Sequence, residues 1–127
     1  MENSNLEDLI QKYLSAYNSF NIDGMIGVLN ENIHFRNISK GEVNSETKGI
    51  QEFRKLAEQS IEVFSQRRQV IKNITFTGDK AEVDIDYEGI LSSDLPNGMK
   101  AGETLKLQGK SIFQMKDKKL ILIEDHS

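Results

Sequence analysis

The sequence predicts an α+β domain: a cone-shaped, strongly curved antiparallel sheet wrapped around three N-terminal helices. Three observations lead to this. Apolar residues recur at helical spacing through the first half of the chain, they alternate strictly through the second half, and turn signals separate the alternating runs. Helices followed by consecutive hairpin strands gather on one face of an antiparallel sheet. A curved sheet closing over helices leaves a hollow, and hollows are the default sites for ligands.

The elements follow in order. Ser4–Glu7 (S-N-L-E) reads as a capping box that opens the first helix. Leu6, Ile10, Tyr13, Tyr17 and Phe20 form one helical stripe behind it. The N-I-D-G that follows interrupts this helix and starts another. Asn21 is a good N-cap, Asp23 suits the positive end of a new helix dipole, and Phe20 is placed to staple onto Met25. Ile22, Met25, Ile26 and Leu29 give the second helix its buried face, and Tyr13 looks into the angle between the two. Residues 33–38 (I-H-F-R-N-I) are expected as a short strand, with Ile33, Phe35 and Asn37 on one side and His34 and Arg36 on the other. Residues 39–48 read as polar loop, and a third helix is expected over about Gly49–Phe64.

From Gln66 onward everything reads as strand. Residues 68–77 reach a G-D turn at Gly78–Asp79, and residues 80–91 return with Ala81, Val83, Ile85 and Tyr87 on one face. Glu82, Asp84, Asp86 and Glu88 take the other. A loop containing P-N-G and the single proline leads to residues 104–115, which alternate again, and a turn at Asp117–Lys118 leads into the last strand, K-L-I-L-I-E-D-H-S. No repeat or linker interrupts the chain, so residues 1–127 form a single domain.

Composition narrows the function. A net charge of −4 and the absence of a basic stripe argue against nucleic acid and against anionic membrane surfaces. No apolar run approaches the roughly 20 residues that span a bilayer, and the acidic, polar start is not a secretory signal. A cytoplasmic location is the default expectation. Without cysteine there is no disulfide, no thiolate catalysis and no cysteine-ligated metal. No cofactor and no metal site are expected.

Each polar residue on an inward face has two readings. Tyr13 is either a hydrogen-bond donor to a bound carbonyl or a core tyrosine with a backbone partner. Asn37 either contacts a ligand or bonds the following loop. Asp125 follows Ile121 and Ile123 on one strand face, which aims it into the hollow with a raised pKa; its place near the end of the sequence speaks for solvent instead. The acidic row Glu82, Asp84, Asp86 and Glu88 lies in a line rather than a cage, opposite Lys106 and Lys110. It therefore reads as a solvated face or a dimer surface, not a metal site. His34 and His126 read as surface histidines. Leu95 and Met99 are either a lid or anchors of a long connection.

The stretch K-Y-L-S-A-Y-N-S-F-N-I-D-G at 12–24 and G-I-Q-E-F at 49–53 resemble the helices of ketosteroid isomerase. S-I-F-Q-M-K-D-K-K-L at 111–120, running into E-D-H, resembles the last hairpin of limonene epoxide hydrolases and SnoaL-like polyketide cyclases. All belong to the nuclear transport factor 2-like superfamily, whose cystatin-like cone the resemblance implies over nearly the whole chain. It places Tyr13 at the isomerase tyrosine, Asn37 at the base position and Ser111 at the second acid. Asn37 cannot accept a proton and Ser111 is a weaker donor, so ketosteroid isomerisation is not expected. The epoxide hydrolases pair an arginine and an aspartate on a strand; here that strand reads D-I-D at Asp84–Asp86. Asp125 resembles the late-strand aspartate that SnoaL-like cyclases use as acid–base.

The expectation is thus an apolar pocket for a small hydrophobic molecule, in a protein that forms a homodimer through its outer sheet face. The pocket is lined by Tyr17, Phe53, Ile85, Tyr87, Leu107 and Phe113, with Tyr13, Asn37, Ser111 and Asp125 as polar groups. If catalytic, as an isomerase, cyclase or hydrolase, it would use Asp125 with Tyr13. The alternative is a non-catalytic ligand-binding or dimerisation module.

Overall fold

The structure is a computed structural model that describes residues 2–96 and 98–127, with side chains from Asn5 onward. Helices α1 (Glu2–Asn18) and α2 (Ile22–Ile26) precede strands β1 (Leu29–Ser39) and β2 (Glu42–Lys48). Helix α3 (Ile50–Ile61) follows, then β3 (Phe64–Thr77), β4 (Lys80–Leu91), β5 (Thr104–Lys116) and β6 (Lys119–His126). The Ser4 side chain of the expected capping box lies outside the described residues.

The helical corner forms as its residues dictate. The Asn21 side chain accepts a hydrogen bond from the Gly24 amide at 2.9 Å, satisfying a donor that the first turn of α2 would otherwise leave open. Gly24 is bare for the same reason: a Cβ there would lie 2.7 Å from the Asn21 side-chain nitrogen. Replacing Asn21 with Ala should cost about 1 kcal/mol, the usual worth of such a cap, read as a lower urea midpoint with an unchanged slope. Phe20 takes a positive φ of 58° to make the corner. Its ring lies beside the Arg67 guanidinium, 4.7 Å from the carbon at its centre. Leu29, expected on helix two, instead begins β1 and remains buried.

The six strands lie in the order β2-β1-β6-β5-β4-β3. Every neighbouring pair is antiparallel except β1 with β6, which run parallel. The antiparallel expectation fails at that one junction because β1, separated from the hairpin run by β2 and α3, is joined only by the returning C-terminal strand. Register slips at Asn37/Ile38, Phe64/Gln66, Ile71/Asn73 and Gln114/Met115 bend the strands. The sheet curves without closing, and the helices fill its concave side.

Residues 42–48, expected as loop, form edge strand β2. A two-residue turn at Lys40 and Gly41, both with positive φ, folds it back on β1. Only Thr47 of β2 is buried, so the strand carries almost no apolar alternation to mark it. Helix α3 ends at Ile61 rather than Phe64, and Phe64 opens β3.

The core joins the concave sheet face to the helices. Leu6, Ile10, Met25, Ile33, Val83, Phe113, Leu120 and Ile123 are at most 2% exposed. The inward alternation of β4 holds through Ala81, Val83 and Ile85. On the other face Lys110 meets Glu82 at 2.5 Å and Lys72 meets Asp86 at 3.5 Å, so the acidic row is partly ion-paired. Among the described residues, no group of three His, Asp or Glu side chains is arranged to hold a metal ion. Among the described residues, no helix is long and apolar enough to cross a membrane.

Candidate active site

Four polar residues fall in one row across the sheet. Ser45 is the register partner of Asn37, Asn37 of Asp125, and Asp125 of Ser111, so β2, β1, β6 and β5 each contribute one. In-register side chains share a face, here the concave one. The Ser111 hydroxyl donates to Asp125 Oδ1 at 2.6 Å. Burial pushes the Asp125 carboxyl up from 3.8 to about 6, against the lowering effects of the Ser111 hydrogen bond and the His126 charge. Gly109 leaves room for this end of β6, since a Cβ there would lie 2.6 Å from the His126 carbonyl oxygen.

Three tyrosines stand between the sheet and α1. Tyr13 is 3% exposed, edge-on to Phe113 with ring centres 6.0 Å apart. Among the described residues its hydroxyl has no hydrogen-bond partner, so the expected backbone alternative is not realised. The Tyr17 hydroxyl donates to the Tyr87 hydroxyl at 2.9 Å. Burial raises the pKa of all three, with the Asp125 charge adding to the effect. All three phenols therefore keep their protons at neutral pH and act as O–H donors.

Arg67 of β3 closes the far side and is 4% exposed. Its Nε donates to the Tyr17 carbonyl at 3.0 Å and its Nη1 to Ser60 Oγ at 3.4 Å. The guanidinium lies 3.6 Å over the Tyr17 ring centre. Nη2 is buried without a partner. Phe64 packs against Tyr87 with ring centres 5.8 Å apart and covers Gly89, where a Cβ would meet the Phe64 ring at 2.7 Å.

These groups line a cavity of about 340 Å³. Of the residues singled out from sequence, Tyr13, Tyr17, Asn37, Phe53, Ile85, Tyr87, Leu107, Ser111 and Asp125 are on its wall. Phe113 is not: at 1% exposed it lies behind Tyr13, in the core. Leu95 and Met99 are also absent from the wall. The Leu95 amide donates to the Met99 carbonyl within the loop itself. The sequence reading missed Arg67, Gln69 and Ser60. Arg67 falls in the stretch read as strand, one residue ahead of the run 68–77, and reads as a polar surface residue, so only its phase with Gln69 and Ile71 could have marked it as inward.

His34 and His126 each have an acid partner that sequence reading did not supply. His34 lies 2.5 Å from Glu46 and His126 lies 2.7 Å from Glu124, which also pairs with Arg36. Burial works to raise the Glu124 pKa, but the hydrogen bonds from His126 and Arg36 win and hold it below the ordinary value.

The sequence profile of the SnoaL-like domain matches residues 10–123. The chain belongs to the SnoaL-like domain family. Among curated proteins, no sequence matches this SnoaL-like domain. Among solved structures it is similar to a candidate polyketide cyclase of Xanthomonas campestris pv. campestris, with TM-score 0.80 and 18% identity over 100% of this chain and 93% of that one. A candidate SnoaL-like polyketide cyclase of Jannaschia sp. CCS1 also gives 0.80, at 14% identity over 96% and 84%. A protein of ketosteroid isomerase-like fold from Catenulispora acidiphila DSM 44928, in complex with trimethylamine, gives 0.76 at 8% identity over 94% and 84%. At such identities these neighbours establish the SnoaL-like fold, and the chemistry has to be argued from the cavity.

Proposed function

We propose that the cavity holds a small hydrophobic molecule and that Asp125 moves a proton on it. The observation that supports this most is the Ser111–Asp125 pair on the cavity wall, with its carboxyl raised to about 6. A base with its pKa near the working pH combines the right protonation state with useful basicity. Asp125 as carboxylate takes a proton from a carbon next to a carbonyl; the C–H electron pair passes into an enolate, and the negative charge collects on oxygen. Tyr13, with its hydroxyl free of protein partners among the described residues, donates to that oxygen. Asp125 then returns the proton at the same or another carbon. Removal of that proton is common to isomerisation and to ring closure, in which the enolate carbon instead attacks a second carbonyl and the proton goes to the alkoxide that forms.

The test uses the wild-type protein with hydrophobic ketones and β-diketones in deuterated water. A ligand that binds the native state raises the melting temperature by mass action. The expected result is such a rise, together with exchange of the carbon-bound protons α to the carbonyl faster than in buffer. A melting rise without exchange overturns the catalytic reading and leaves the non-catalytic binding alternative; no rise with any ketone, neutral or carrying a carboxylate, overturns both.

A further inference from the structure

Arg67 is a permanent positive charge sealed at one end of the cavity, with no ion-pair partner among the described residues. Burying an ion without a counter-ion is costly. Part of the cost is offset locally. The Nε bond satisfies a carbonyl at the C-terminal, negative end of α1, and the Tyr17 and Phe20 rings lie against the guanidinium. Those contacts occupy one edge and the faces of the group. Of five N–H donors only two are engaged, which leaves three on the Nη edge, Nη2 among them. A structural role alone accounts for the first two donors and not for the rest.

We propose that Arg67 anchors an anionic oxygen group, and that the ligand of this cavity is an organic acid: a carboxylate or enolate oxygen pair on an apolar body of one or two rings. A planar guanidinium with unpartnered N–H groups on its Nη edge matches two oxygens side by side, and Ser60 Oγ, which accepts from Nη1, stands next to that edge. The Tyr17, Phe53, Phe64 and Tyr87 rings supply apolar walls for the body. The other basic groups on the wall are paired elsewhere: Lys110 with Glu82 on the far face and His126 with Glu124. Asp125 lies at the opposite end: β6, which carries it, is three strands across the sheet from β3, and the register aligns Asp125 with Ser111 and Val83 but Arg67 with Gly89. An acid seated on Arg67 therefore presents its remote end to Asp125 without bringing two negative charges together. The proposal rests on the reading that the cavity takes a small molecule, and adds the charge and orientation of that molecule.

The experiment measures calorimetric affinities for matched acids and amides: benzoate and benzamide, naphthoate and naphthamide, biphenyl carboxylate and its amide, at about pH 8 where the acids are ionised. For the pair that fits, the acid is expected to bind wild type about tenfold tighter or more than its amide, as a charge-assisted bidentate bond requires. Arg67→Met should bring the acid down to the amide, and Arg67→Lys, which keeps the charge without the fork, should fall between. Because Arg67 also ties Tyr17 and Ser60, melting curves accompany both variants; should Arg67→Met not fold, the wild-type ratio and the Arg67→Lys value decide. Equal binding of acid and amide to wild type overturns the anion site while leaving the cavity reading intact. An acid preference that survives in a folded Arg67→Met protein also overturns it. Binding of neither member of any pair overturns the anion site and the small-molecule reading together.

Discussion

Asp125→Asn is expected to lower proton exchange on a bound ketone by about 10²–10⁴-fold, the usual contribution of a positioned general base, while making the protein more stable at neutral pH. The two effects come from the same burial. In the native state the Asp125 carboxyl holds its proton up to about pH 6, against an ordinary value of 3.8. Between those values the folded protein binds more protons than the unfolded chain, so this group's contribution to stability falls as pH rises through the window and stays reduced above it. The full shift corresponds to about 3 kcal/mol, and relaxation around the carboxylate brings the expected difference nearer 2 kcal/mol. Asn keeps the side-chain oxygen that accepts from Ser111, so the hydrogen bond at 2.6 Å has a successor. Urea unfolding of both proteins at about pH 4 and pH 7.5 should give nearly equal stabilities at the lower pH and a more stable variant at the higher one. Affinity for a neutral ketone should survive the change. A variant less stable than wild type at both pH values would place Asp125 in a structural role.

Phe113→Ala should cost about 3–5 kcal/mol, the range for removing a fully buried aromatic side chain. Phe113 is 1% exposed and supports Tyr13 edge-to-face at 6.0 Å. Removing it leaves a hole beneath the tyrosine, so ligand affinity should fall together with stability. Against a typical total of about 5–15 kcal/mol for a domain, the loss brings the protein close to its unfolding threshold. Chemical denaturation reads it directly. A cost below about 1 kcal/mol would mean that the residue lines open space, as its strand alternation alone had implied.

The positions of Phe113 and Asp125 show what the sequence carries and what it leaves to tertiary structure. Strict alternation in β4 and β5 fixes which side chains face inward, and the inward set is correct from Ala81 through Ile85 and at Ser111 and Phe113. Alternation does not say how deep each lies. Depth depends on the curvature of the sheet and on which helix residue sits above, and Tyr13 covers Phe113. The cap at Asn21 is legible because its partner is three residues away. Asn37, Ser111 and Asp125 are each legible as inward polar residues, but their alignment in one row with Ser45 is not, since it needs pairings across four strands, one of them parallel.

Two omissions have definite causes. Strand β2 is held mainly by backbone bonds to β1 on an edge where its side chains are largely exposed, so its residues carry no periodic signature. Arg67 escapes because β3 slips register between Ile71 and Asn73, so the inward phase of Arg67, Gln69 and Ile71 does not continue into Ile74 and Phe76. Arginine is also rarely expected inside without an acid to pair with.

The account stands on Asp125 being a half-buried carboxylic acid on the wall of a ligand cavity, where lost hydration favours its protonated form. Carbon-detected NMR titration of its side-chain carboxyl, assigned by comparison with Asp125→Asn, measures that directly. The account predicts a midpoint of about 6. A midpoint at or below the ordinary value of 3.8 would show a solvated carboxylate and contradict it.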